Sequence, residues 1–448
     1  MHTAIIRIFT ALILIISSAK LPAQNLVDMY QLAIESDPVF RAAQANYRAN
    51  KQILTQARGA LLPTIDATAS KNKIDAKRKA SLGSVSQPAG RAKYNRDEYT
   101  LTITQPIFNG AIFSGLKQAK AEVRRAEAEY VAAQQDLIAR LAEAYFGILS
   151  ARDNLELALA ERAAIAQQLA GAKGRLSVGL ATITDVHDAR ARHQLAEAQV
   201  IEAQNKLADS RQALREITGI SPAKLNKIGQ NMPLIKPEPN NIKKWIEKAN
   251  TQNMALMAQR EAVVIAKQDV KIRRAGHIPT LNLVGTRSRS SSDGSLTVTG
   301  SGIESTNTII SLELNIPIFR GGRTSSETRQ AIHRLEAARQ QLTATERGTE
   351  RQIRSAFMEV SSGTHRINAL KQAVVANESA LKAKRLGFRA GIRTNLDVLD
   401  AQRNLFRAKR DYSDARYSYI LNLLKLKQST GTLGADDLRR INRWLSAR

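Results

Sequence analysis

The chain carries one structural plan twice, and this duplication limits its fold more than any other feature. Leu61-Leu62-Pro63-Thr64-Ile65 returns as His277-Ile278-Pro279-Thr280-Leu281. Gln105-Pro106-Ile107-Phe108-Asn109-Gly110 returns as Ile316-Pro317-Ile318-Phe319-Arg320-Gly321. Further along, Asp185-Val186-His187-Asp188-Ala189 is matched by Asp397-Val398-Leu399-Asp400-Ala401, and Thr218-Gly219 by Thr430-Gly431. The matches keep their order at a nearly constant separation, which marks an internal repeat rather than chance. Pro222, Pro233, Pro237 and Pro239 fall between the copies and mark a linker. The expected organisation is therefore a first repeat over 24–220, a Pro-rich linker over 221–241, a second repeat over 242–432, and a basic tail over 433–448.

Within each copy the sequence reads helix, strand, long loop, strand, very long helix, turn, helix. The strands show period two. Ile65, Ala67 and Ala69 alternate with Thr64, Asp66, Thr68 and Ser70, and Tyr99, Leu101 and Ile103 alternate with Thr100, Thr102 and Thr104. The second copy sets Leu281 and Leu283 against Thr280 and Asn282, and Ile310, Leu312, Leu314 and Ile316 against Ser311, Glu313 and Asn315. Strands of roughly ten residues with one apolar and one polar face suit a membrane barrel with a wet interior. The long helices show steps of three and four, as in Ala119, Val123, Ala126, Tyr130, Ala133, Leu137, Leu141, Ala144 and Ile148. With no proline between Pro106 and Pro222, about sixty residues would reach ~90 Å at 1.5 Å per residue. A helix of that length fits a coiled coil or a tube of helices. Four strands cannot close a barrel, since about eight is the minimum. The chain must associate, and two or three copies would both satisfy closure.

Residues 1–23 read as a secretory signal peptide: Arg7 precedes an apolar run from Ile8 to Ile16, and small residues follow, with cleavage expected after Ala19 or Ala23. No later stretch approaches eighteen apolar residues. With no cysteine the chain can form no disulfide and carry no lipidated N-terminal Cys. The formal net charge of +27 raises nucleic acid as a partner, but the signal peptide and the 4% aromatic content argue against it. Lys71, Lys73, Lys77, Arg78, Lys79, Arg91, Lys93 and Arg96 flank or fill the first strand-to-strand loop, where they could face lipid phosphates.

These pieces resemble the TolC family of outer-membrane efflux proteins, from about Leu26 to Thr432. The most specific are the two helix-to-helix turns, Val178-Gly179-Leu180-Ala181-Thr182-Ile183-Thr184-Asp185 and Ala390-Gly391-Ile392-Arg393-Thr394-Asn395-Leu396-Asp397. The resemblance implies a mainly α chain with a transmembrane β-barrel: four strands per protomer, a homotrimeric 12-strand barrel, and a long periplasmic α-helical barrel. It implies an outer-membrane exit duct, without enzymatic activity or cofactor, for type I secretion or efflux. Its partners would be a periplasmic adaptor, an inner-membrane ABC or RND transporter and outer-membrane lipids. The absent cysteine places the chain nearer the non-lipidated branch, which leans towards type I secretion or a shared duct. The resemblance also carries a gating role to Asp397 and Asp400, with Arg393, Thr184 and Asp185 as closing contacts, and adaptor docking to Gly179, Leu180, Gly391 and Ile392. Phe388 departs from the pattern, standing where the family often has a tyrosine.

Among chemical sites, none is indicated. His2, His187, His193, His277, His333 and His365 have no neighbour at metal-ligand spacing, and Gly321-Gly322 lacks the residues of a phosphate loop. Asp397 and Asp400 lie three apart on one helix face, where an ordinary helix start would also place carboxylates. Threefold symmetry would turn them into a six-carboxylate ring whose members raise one another's pKa. Asp188 reads as a solvated helix position. Two other classes remain in view: a basic coiled-coil nucleic-acid binder, and a periplasmic adaptor, which also has helical hairpins but needs neither strand hairpins nor a duplicated chain.

Overall fold

A computed structural model describes residues 25–78, 90–222, 224–229, 232–295 and 302–446. The expected signal peptide and Lys79 lie outside these residues. The elements in chain order are α1 (Leu26–Ser36), α2 (Pro38–Gly59), β1 (Thr64–Arg78), β2 (Gly90–Phe108), α3 (Gly110–Ser177), α4 (Ile183–Thr218), β3 (Lys227–Ile228), α5 (Ile242–Gln252), α6 (Met254–Arg274), β4 (Thr280–Ser292), β5 (Ile303–Asn315), α7 (Arg323–Arg389), α8 (Asn395–Ser429), α9 (Ala435–Asn442) and β6 (Leu445–Ser446). The described chain forms two compact units. One comprises residues up to Gln44, Val131–Asn253 and Arg347 onward; the other comprises Ala45–Tyr130 and Met254–Glu346.

The second of these units holds the four-stranded sheet, in the order β1-β2-β4-β5 with every pair antiparallel. Directly opposed residues share a face. Ile65, Ile103, Gly285 and Ile310 therefore form one row, and Leu283 and Leu312 lie opposite each other in the next. The other face carries rows such as Asp66, Thr102 and Thr286. Along β2 most apolar-face positions are exposed, whereas the polar-face positions from Ala92 to Pro106 are only part-exposed. A sheet curved towards its polar face produces this pattern. Both edge strands, β1 and β5, have one unpaired side. In this unit α3 and α6 are joined by an Arg124–Glu261 ion pair of 2.7 Å, and Tyr47 stacks on Tyr130 with centroids 5.1 Å apart.

The strands run 15, 19, 13 and 13 residues, longer than the ten expected. Lys71, Lys73, Lys77, Arg91, Lys93 and Arg96 thus lie in strands and not in a loop. Pairs such as Ile74–Tyr94 keep period two and carry the hairpin outward with its polarity reversed, since they lie on the face of Asp66 and Thr102.

The other unit is helical. Of the expected stripe, Leu137, Leu141, Ala144 and Ile148 are buried, and Ile138, Tyr145, Phe146 and Leu149 add a second buried face. A helix buried on two sides needs polar atoms satisfied: Tyr145 donates to the Asn226 carbonyl at 3.1 Å and Tyr417 to Asp153 at 2.6 Å. α7 differs. Ile353, Val360 and Ile367 are buried at heptad spacing, while Met358, Val375 and Leu386 are more than half exposed. One helix face thus meets its own chain and another keeps apolar side chains free.

Two expectations need correction here. Residues 433–446 do not form a tail. Leu438 and Ile441 give α9 a buried apolar face, and β6 pairs with β3 of the linker. The helical start of each repeat is also two helices, not one. Asp37 ends α1 and its carboxylate accepts from Phe40 N at 2.8 Å, while Arg140 anchors the same carboxylate at 2.8 Å. Asn253 makes the equivalent break and donates to the Ser429 carbonyl at 2.7 Å.

Candidate functional site at the helix-to-helix turns

The two turns are built by the same local chemistry. α3 and α7 each end on a glycine in the left-handed region, Gly179 at φ 75° and Gly391 at φ 77°. A side chain there would be strained, and glycine is not. In the first turn Leu180 N donates to the Arg175 carbonyl at 2.8 Å and Gly179 N to that of Leu176 at 3.1 Å. In the second, Ile392 N donates to Gly387 at 2.9 Å and Gly391 N to Phe388 at 3.1 Å. These paired bonds close the last turn of each helix. Leu180 and Ile392 are left 76% and 77% exposed.

The following helices start with reciprocal caps. Thr182 Oγ1 accepts from Asp185 N at 3.2 Å, and Asp185 Oδ2 accepts from Thr182 N at 3.0 Å. Thr394 and Asp397 repeat this at 3.1 Å in both directions. Asp185 and Asp397 are thus helix-start residues within each chain. The Thr394 backbone N–H and hydroxyl hold the Asp397 carboxyl below its ordinary range, with Lys384 3.7 Å away adding to the effect. Within one chain the shift is therefore opposite in sign to that expected of facing carboxylates in a ring.

Asp400 is placed differently. It accepts from Arg192 of α4 at 2.9 Å and lies 3.5 Å from Arg403. Beneath this pair Ile165, Ala172, Val186, Ala189, Ala196 and Leu399 form an apolar cluster that sets the starts of α4 and α8 side by side. Asn395, also buried, donates to the Asp185 carbonyl at 3.4 Å and is bonded by Gln168. Thr184 and Arg393 are exposed, and Arg393 makes no ion pair among the described residues. The Arg175 guanidinium lies 4.5 Å from the centre of the Phe388 ring. This cation–π contact joins the ends of α3 and α7.

Sequence spacing brought out the aspartates and missed their partners. Arg192 is one of many arginines on polar helix faces, and only folding places it against Asp400. Gln168, Asn395 and Arg175 were missed for the same reason. Among the described residues no group of three or more His, Asp or Glu is arranged to hold a metal ion, and no helix is long and apolar enough to cross a membrane.

Residues 29–220 and 245–432 match the family model described as outer membrane efflux protein. Outer membrane protein TolC of Vibrio cholerae serotype O1 is 36% identical over 95% of this chain and 94% of its own length. The alkaline protease secretion protein AprF of Pseudomonas aeruginosa is 30% identical over 94% of this chain and 87% of its own length. Among solved structures, a membrane protein from Pseudomonas aeruginosa superimposes with a TM-score of 0.78 at 20% identity, over 93% of this chain and 92% of that one. The outer membrane protein VceC from Vibrio cholerae gives 0.74 at 22% identity, over 91% and 96%. At these identities the structural matches speak for the fold.

Proposed function

The chain belongs to the outer membrane efflux protein family, and from that premise we propose that three copies form an exit duct through the outer membrane, with the helical part in the periplasm. The observation that carries this reading is the sheet, whose apolar face is exposed and whose two edges are open. Unpaired backbone groups cannot remain in hydrocarbon. β1 and β5 run in opposite directions, so β5 of one copy can pair antiparallel with β1 of the next. Three such contacts would close a ring of twelve strands. The free apolar side chains of α7 support contact between copies along the helices as well.

Cargo would be protein or a small molecule, delivered by an inner-membrane ABC or RND transporter through a periplasmic adaptor. Leu180 and Ile392, held out by Gly179 and Gly391, are the apolar positions that such an adaptor would grip. The relatives named for secretion favour the type I role. Nothing in the fold favours a nucleic-acid binder or an adaptor. Chemical crosslinking of detergent-extracted protein should ladder to three copies and stop there; a ladder ending at two would overturn the trimer.

The gate would be the ring of Asp397 and Asp400, closed through Arg393, Thr184 and Asp185 between copies. The Arg192–Asp400 pair gives this reading a test with opposite signs. Both side chains are part-exposed, and ion pairs that water reaches contribute about 1 kcal/mol to stability, so folding should survive either change. Arg192→Ala removes the charge that offsets Asp400, and in planar bilayers it should raise both conductance and cation selectivity. Asp400→Asn should raise conductance and lower cation selectivity. Identical selectivity in the two variants would place the constriction elsewhere.

A further inference from the structure

The charge of the sheet is divided between its faces. The apolar face continues outward along the β1–β2 hairpin as Lys71, Lys73 and Lys77 opposite Asp97, Asn95 and Arg91, with Lys93 opposite Asp75. On the same face Arg287 lies opposite Leu101, and Arg289 opposite Tyr99. Its strand carboxylates are Asp75, Asp97 and Glu304, which pair with Arg91, Lys71 and Arg289 respectively, and Asp293, just past β4, accepts from Asn95 on the same face. Lys73, Lys77 and Arg287 have no carboxylate partner among the described residues, and residues 79–89 and 296–301 contain no Asp or Glu. The polar face is the reverse: among its described side chains it carries Arg96 against Asp66, Glu98 and Glu313.

Resting on the outer-membrane reading, we propose that this cationic crown binds the phosphate groups of outer-leaflet lipid. The apolar rows below it, from Leu281 and Leu314 to Leu101, would lie against acyl chains, and Tyr99 would sit at the headgroup boundary. Arg287 and Arg289 start within the upper rows. Their long stems let the guanidinium groups reach outward to the headgroups. The free cations, Lys73 and Lys77, stand further out on the same face. Apolar belt and cationic crown are continuous, so a lipid phosphate would be bound together with its own tails.

The test uses the full chain incorporated into phosphatidylcholine vesicles doped with fluorescent bisphosphorylated lipid A, with energy transfer from a protein-borne dye as the readout. Replacing Lys73, Lys77 and Arg287 together by Gln should weaken association roughly tenfold or more, as expected for cations near an anionic lipid surface. Wild-type association should fall as salt rises. Arg96→Gln, on the polar face, should change nothing. Dephosphorylated lipid A should associate weakly, and inorganic phosphate should not compete at the same concentration. Equal binding by the triple variant and Arg96→Gln, equal association of dephosphorylated lipid, or full competition by inorganic phosphate would each overturn the proposal. Protein that enters the vesicles yet ignores lipid phosphate sinks this proposal alone. Protein that fails to enter them removes the outer-membrane reading as well.

Discussion

Ile103→Arg is expected to cost about 2–4 kcal/mol of inserted protein, and Thr102→Arg much less. The two residues are neighbours in β2 but belong to opposite faces. Ile103 lies in the row of Ile65, Gly285 and Ile310, midway along the apolar band, where a guanidinium would meet hydrocarbon. Thr102 lies between Asp66 and Thr286, where an arginine finds water and a carboxylate directly across the strand. Since about 1.4 kcal/mol is tenfold in an equilibrium, the two variants should differ about tenfold or more in assembled protein. Heat-modifiable migration from vesicles, or urea midpoints in the same lipid, reads this directly. Equal losses would show that the apolar face is not the lipid face.

Gly431→Ala should be more damaging still, and its counterpart in the first repeat supplies the control. Gly219 and Gly431 both follow the last helix of a repeat at positive φ, 74° and 76°. A methyl group at Gly219 would meet only the Ser36 side chain, its Cβ at 3.6 Å and its Oγ at 3.7 Å, both ordinary contacts. That substitution should cost about 1–2 kcal/mol, the strain of a side chain in the left-handed region. At Gly431 the same methyl would fall 2.0 Å from the Gln252 carbonyl oxygen and 2.8 Å from Asn253 Cα, both backbone. The main chain there is fixed on two sides: Gln135 donates to the Gly431 carbonyl at 2.9 Å and Asn253 to that of Ser429 at 2.7 Å. Relief requires moving the α5–α6 junction, so the loss should exceed that of Gly219→Ala by about 2 kcal/mol or more. Urea titration of both variants in detergent checks the difference; similar midpoints would show that the junction yields easily.

These glycines show what the sequence disclosed. The Thr-Gly pair was visible as a repeated dipeptide, but its unequal cost depends on which backbone passes overhead. Strand alternation was legible because period two follows from local geometry. The outer half of the first hairpin was not, because Lys and Arg outnumber its apolar residues and read as solvated loop, while cross-strand pairs such as Ile74–Tyr94 keep it extended. The tail was misread because α9 offers only two buried apolar anchors, Leu438 and Ile441, in eight residues. At the turns, Gly179, Gly391 and the Thr-to-Asp spacings could be read directly because caps are local. Arg192, which balances Asp400, could not, since 208 residues separate them in sequence.

The open edges of the sheet have a genetic consequence. In a ring closed head to tail, every copy offers β1 to one neighbour and β5 to the other. A variant with one spoiled edge can still enter the ring through its intact edge, but no neighbour can pair with the spoiled side. When such a variant is expressed beside the normal chain, most rings drawn from the mixed pool contain at least one break. Edge-strand lesions should therefore behave as dominant alleles, whereas lesions that stop a chain folding before it reaches the ring should be recessive.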